Sequence, residues 1–285
     1  MKTTKRPEGM LAYIRSAYAS LTKAEKRVAD IVLNEGNIVI YDSLTTLAEK
    51  AGVGDSSVLR FCRHIGYSGF QEFKLALAQS TSMTKDDESE ENDQNQLSRI
   101  IGNITNKNIH VIEDTTTLLR EQDLETATNM LLKANKSVFF GVGSSGLTAE
   151  HAKYRFIRAG FPVESVTDGH LAPVRATLLT PQDTAIVISV SGSTVDIVDV
   201  AKIAKENDAK VMCITSHVKS PVTKHADLVL LTASKEKPTE SSALSSIIPQ
   251  MHIFEILFTH ALNQLGNQGT EMLRKTASVT SKKLY

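Results

Sequence analysis

The chain has 285 residues, 41% of them apolar, with 32 basic side chains balanced by 32 acidic ones. That length and apolar share suit two domains or one large α/β unit, and the neutrality gives no global pull toward nucleic acid or a membrane. Two cysteines, Cys62 and Cys213, exclude a disulfide framework and point to a reducing compartment.

In chain order, the opening MKTTKRPEGMLAYIRSAY lacks the apolar core of a signal peptide. No apolar run nears the roughly 18 residues that span a bilayer, so a cytoplasmic protein is expected. Residues 1–79 read as helical throughout. Leu11, Ile14, Ala17 and Tyr18 keep helical spacing, as do Val28, Ile31 and Val32. Thr22 and Glu25 stand at the spacing of a capping box.

Ser43–His64, SLTTLAEKAGVGDSSVLRFCRH, carries a helix-turn-helix signal. A first helix, Ser43–Lys50, turns Leu44, Leu47 and Ala48 inward, and Ala51–Gly54 supplies a short glycine-bearing turn. A second helix, about Asp55 to His64, keeps Val58, Leu59, Phe61 and Cys62 on its apolar side. Its other side offers Ser56, Ser57, Arg60, Arg63 and His64, with Lys74 further on, side chains suited to the base edges and phosphates of a duplex. Residues 1–85 hold twelve Lys/Arg and eight Asp/Glu, 12 − 8 = +4, the electrostatic footprint of phosphate binding. The plain alternative is a helical bundle with an incidental glycine turn. Cys62 reads as core, and His64 as a possible C-terminal cap.

Ser80–Gln96, STSMTKDDESEENDQNQ, has one apolar residue and six acids. Such a stretch buries too little surface to offset its ordering entropy and reads as a linker, or else as a solvated acidic helix. Beyond it, Leu97, Ile100, Ile101, Ile104, Val111 and Ile112 suggest one amphipathic helix, and Asp123 opens another through Leu132.

From Lys136 the texture alternates. SVFFGVG, FPVESV, TAIVISV, KVMCITS and HADLVLLTA read as strands. LTAEHAKYRFIRAG, HLAPVRATLL, STVDIVDVAKIAKENDA and SIIPQMHIFEILFTHALNQLG read as helices, the last broken near Pro249. Alternation of this kind means a parallel, doubly wound sheet.

Two loops carry chemistry. GVGSSG places Gly141, Gly143 and Gly146 in the G-x-G-x-x-G pattern, with Ser144 and Ser145 inside it. ISVSGSTVD sets Ser189, Ser191, Gly192, Ser193 and Thr194 between a strand and a helix, where N–H groups and hydroxyls suit a single phosphate. The alternatives are plain N-capping, or a dinucleotide site with Glu164 as the ribose acid. No G-x-x-x-x-G-K-[ST] stretch is present, and the cysteines and histidines do not cluster at metal spacing, so neither cofactor nor metal is expected.

AEKAGVGDSSVLRFCRHIGYSGFQEFK, GVGSSG and ISVSGST, in that order, resemble the RpiR-type transcriptional regulators. The resemblance implies an all-α helix-turn-helix domain (1–79), an acidic linker (80–96) and a sugar isomerase (SIS) α/β domain (97–285, core about 123–265). It implies that Ser144, Ser145, Ser189, Ser191 and Thr194, with Ser193 in the same loop, hold the phosphate of a sugar. Asp168 and His170 match positions near the sugar, and Glu240 and Ser241 are further candidates. Gly54 stands where the pattern usually has a serine, leaving the cap to Asp55 or Ser56. The function implied is a DNA-binding regulator of carbohydrate genes responding to a phosphorylated sugar. A homodimer or homotetramer is expected, its interface burying the apolar face of the 247–265 helix. The rival reading is a phosphosugar isomerase with Glu240 or His252 as base.

Overall fold

Met10–Ala17 (α1) and Lys23–Val39 (α2) are the first long helices of the computed structural model, which describes residues 10–82, 96–233 and 243–281. The Thr22–Glu25 capping box forms at the head of α2, each side chain meeting the other's backbone N–H. Leu44–Lys50 (α3) is capped by Ser43 Oγ, which accepts from Thr46 N at 3.0 Å. Asp55–His64 (α4) and Phe70–Ser82 (α5) complete this unit. Its core is Ile14, Val28, Val32, Leu47, Val58, Phe61, Phe73 and Leu77. Phe61 and Tyr67 meet Phe73 edge-on, at 5.7 and 6.0 Å between centroids. Cys62 is buried there, and burial pushes its thiol up to about 12.

Among the described residues the chain divides into two units, one running to Ile101 and one from Gly102 onward. Of the expected linker, 83–95 lie outside the described residues. Ser80–Ser82 finish α5, and Gln96 opens the helix Gln96–Leu118 (α6).

The second unit is a five-stranded parallel sheet in the order β2-β1-β3-β4-β5: Ser137–Phe140 (β1), Val163–Val166 (β2), Thr184–Ile188 (β3), Lys210–Thr215 (β4) and Leu228–Leu231 (β5). Helices Glu121–Lys133 (α7), Ser144–Arg158 (α8) and Ala243–Leu265 (α11) cover one face. Leu171–Thr177 (α9) and Val195–Glu206 (α10) cover the other. Burial on both faces explains why β1, β3 and β4 are continuous apolar runs rather than alternating ones.

Three expectations are corrected. Helix α8 starts at Ser144, not Leu147, so both serines of the first turn are helical. Helix α11 runs unbroken through Pro249; packing of Ile253, Phe254, Leu257 and Phe258 into the core outweighs the lost N–H donor. That same packing spends the apolar face of α11 inside the chain, against α7, α8 and the sheet, so this face is not the expected oligomer interface. A further helix, Asn267–Ser281 (α12), went unforeseen. Among the described residues, no helix is long and apolar enough to cross a membrane.

Candidate functional site

Strands β1 and β3 lie side by side, with Phe140 opposite Val187. The helix that follows β1 lies on one face and the helix that follows β3 on the other. This is the topological switch point of the sheet, where a crevice opens beyond the strand ends. Both hydroxyl-rich turns leave the sheet there.

The first turn needs its glycine for space. A Cβ on Gly141 would stand 2.5 Å from Ser145 O, so the start of α8 closes directly over the strand end. Ser144 heads the helix. Ser145, the next residue, is buried, with Gln250 Nε2 donating to its Oγ at 3.4 Å.

In the second turn, Gly192 sits at φ +61°, and a Cβ would fall 2.1 Å from Ser220 Oγ. The turn is closed by Gly192 N to Ser189 O, and Val222 N donates to Gly192 O. Ser189 Oγ and Thr194 Oγ1 meet at 3.2 Å; Ser191 Oγ accepts from Ser193 N, and Ser193 Oγ donates to Ser191 O, both at 3.2 Å. No side-chain bond caps α10 at Thr194, contrary to a plain capping role for that hydroxyl.

The loop after β2 comes beside them. A Cβ on Gly169 would stand 2.6 Å from Asp196 Oδ2 at the head of α10. Asp168 Oδ1 accepts from His170 N and Leu171 N at 2.9 and 2.8 Å, which holds its carboxyl below the usual range and starts α9. His170 is exposed. Glu240 and Ser241 lie outside the described residues.

Two residues here escaped sequence reasoning. Ser220, in the loop after β4, is buried with an Oγ that meets no hydrogen-bond partner. Gln250 is buried in α11, and its one signal is an amide within the apolar run IIPQMHIF. The dinucleotide reading loses its acid: Glu164 Oε2 accepts from Arg175 Nε at 2.7 Å, and Lys136 lies 3.1 Å from Oε1. The strand order is also that of a flavodoxin-like sheet rather than the 3-2-1-4-5-6 of a dinucleotide fold. His252, the rival reading's base, lies 3.4 Å from Thr116 Oγ1. No group of three or more metal-ligating side chains occurs among the described residues.

In the first unit, α4 presents Ser56, Arg60, Arg63 and His64 on its exposed side, a spacing of 4, 7 and 8 residues that one helical face requires. Two of the expected DNA-binding side chains do not lie on that exposed side. Ser57 is buried beside Val58, its Oγ accepting from the Arg60 guanidinium at 3.0 Å. Lys74 is buried too, and its Nζ donates to Asp42 O at 2.7 Å; burial pushes its ammonium down to about 8, against the pull of Asp42. His64 Nδ1 lies 3.4 Å from Glu25, tying the end of α4 to α2. Gly54 stands at the N-cap of α4 without a side-chain bond, and Asp55 Oδ2 accepts from Thr45 Oγ1 at 3.3 Å.

A helix-turn-helix unit followed by a parallel sheet with hydroxyl-rich turns at its switch point defines a two-part class: a DNA-reading head joined to a SIS-type domain. The rpiR-family helix-turn-helix model matches residues 8–84, and the SIS domain model matches 130–260. An uncharacterized HTH-type transcriptional regulator of Haemophilus influenzae is 34% identical, covering 95% of this chain and 96% of its own. The HTH-type transcriptional regulator HexR of Escherichia coli is 30% identical over 93% and 92%. The solved structure of Vibrio vulnificus NanR complexed with ManNAc-6P superposes with a TM-score of 0.86 at 25% identity, covering 97% of this chain and 99% of that one. The chain belongs to the RpiR family of HTH-type transcriptional regulators, and it is a regulator rather than an enzyme.

Proposed function

We propose that the protein binds an operator duplex through α4 and takes a phosphorylated sugar at the two serine turns, the sugar phosphate changing its affinity for DNA. The supporting observation is that the turns carrying Ser144 and Ser145, and Ser189, Ser191, Ser193 and Thr194, follow the adjacent strands β1 and β3 at one switch point, each turn opening a helix whose first N–H groups favour an anion. The sugar phosphate bound in the related NanR structure supports the same ligand class here. Asp168 and His170 would meet the sugar rather than its phosphate. On α4, Ser56, Arg60 and Arg63 carry the duplex contact, with Ser57 steadying Arg60. Helix-turn-helix regulators commonly read half-sites as dimers, so a homodimer or homotetramer acting in the cytoplasm belongs to this reading.

Thermal denaturation with phosphorylated and free sugars tests the ligand class. A ligand at about a hundred times its Kd stabilises by about 2.7 kcal/mol. One sugar phosphate should raise the Tm while its free sugar does not. Equal response to both would remove the phosphate from the account.

A further inference from the structure

The first turn is backed by a polar side chain in otherwise apolar surroundings. Gln250 is 0% exposed on α11, on a helix whose Ile253, Phe254 and Leu257 enter the core. Both ends of its amide are engaged with α8: Thr148 Oγ1 donates to Oε1 at 2.7 Å, and Nε2 donates to Ser145 Oγ at 3.4 Å. Thr148 is itself fully buried. A buried amide is costly unless satisfied, and a methionine would fill this space without that demand.

The direction of the second bond matters. A serine hydroxyl has one proton and two lone pairs. When Gln250 occupies a lone pair, the proton of Ser145 is left to point away from α11. A phosphate dianion only accepts, so it needs a hydroxyl held in that sense.

We infer that Gln250 is a positioning residue for the effector site: by donating to Ser145 from behind, it keeps that hydroxyl a donor toward the phosphate. This rests on the proposed reading of the turn as a phosphate site.

Gln250→Glu preserves shape and reverses the sense of the bond. Ionised, the new carboxylate can only accept; it draws the Ser145 proton inward and sets a like charge behind the dianion. Protonated, it can donate again, and burial raises the pKa of a carboxyl. The experiment is calorimetric titration of the full-length protein with inorganic phosphate and a panel of hexose and pentose phosphates. Wild type, Gln250→Glu and Gln250→Leu are compared at about pH 8 and about pH 5.5, using the tightest ligand. Variant-to-wild-type ratios remove the pH dependence common to the three proteins, and the Gln250→Leu ratio reports what the ligand's own passage from dianion to monoanion contributes. The ratios also cancel the groups shared by all three proteins: His151 and Arg155 on α8, His252 and Glu255 on α11, and Asp168 and His170 in the loop after β2.

Gln250→Glu should bind about tenfold or more weakly at pH 8, a loss in keeping with one hydrogen bond to a charged group. The ratio should close to within about threefold at pH 5.5, while the Gln250→Leu ratio stays fixed. A second measurement guards against misfolding: in a Ser145→Ala background, the Gln250→Leu change should cost no further affinity. Equal affinities in all three proteins, or losses in both variants that ignore pH, would overturn the inference and leave the phosphate site standing. Wild type that binds no member of the panel would overturn the phosphate reading and this inference with it.

Discussion

Gly192 shows how little room the second turn leaves. Its φ of +61° is one that side-chain-bearing residues rarely adopt, and Ser220 Oγ occupies the place where a Cβ would go. Gly192→Ala should therefore destabilise the protein by about 2 kcal/mol or more and abolish sugar-phosphate binding, read by urea denaturation and calorimetry together. Unchanged stability would mean that the turn re-forms around the methyl. Lys74 makes a second prediction, from its depressed ionisation. Its folded value of about 8 lies below the ordinary value of about 10.4 for the unfolded chain. Between those values the unfolded state binds more protons, so stability rises with pH from about 8 upward, and below that range the buried charge is a standing cost. Lys74→Met should flatten this rise, measured as the denaturation midpoint at pH 7.5 and 9.5. It should also leave the salt dependence of DNA binding untouched, because Nζ is committed to Asp42 O. A reduced salt slope would restore Lys74 to the DNA-binding surface.

On the proposed reading α4 makes the contact with the duplex, and its faces divide by phase. Val58, Phe61 and Cys62 point inward, and Ser56, Arg60 and Arg63 outward. Removing one cation from a DNA phosphate lowers the slope of log K against log salt by about 0.9. The Arg60→Ala/Arg63→Ala pair should flatten that slope by up to about 2 without changing the Tm of the head. A slope that does not move would take these arginines off the duplex. Much of the head was legible beforehand, because caps and stripes are local: the Thr22–Glu25 box and both helix-turn-helix helices follow from neighbours three or four residues apart. Ser57 and Lys74 were not, since a polar residue one position from the apolar stripe goes in or out according to partners far along the chain; Lys74 finds Asp42 across 32 residues. The two serine turns were visible as composition. The support behind them was not, because Gln250 and Ser145 are separated by 105 residues. Pro249 misled for the opposite reason: its local signal was strong, and the tertiary packing of α11 was stronger.

For the molecule as a whole, a ligand changes DNA binding only by its difference in affinity for the states that bind DNA well and badly. Such couplings are usually about 1–3 kcal/mol, or 5–150-fold, and they are reciprocal. On the proposed reading, the regulator should bind a sugar phosphate more tightly or more weakly, by one and the same factor, when DNA is present. Because the apolar face of α11 is consumed within the chain, any interface between copies is expected on another surface, so a truncation at Leu257 should act on folding stability rather than on oligomer mass. Leu257→Ala should cost about 2–5 kcal/mol at unchanged mass by light scattering; dissociation without destabilisation would return that helix to the interface. The most direct test of ligand-controlled DNA binding is fluorescence anisotropy of full-length protein on a duplex selected from a random pool, titrated with the sugar phosphate that raises its Tm. Operator affinity should shift at least about fivefold, a shift abolished by Ser145→Ala and absent with the free sugar. A sugar phosphate that binds the protein tightly and leaves the DNA affinity unmoved would contradict it.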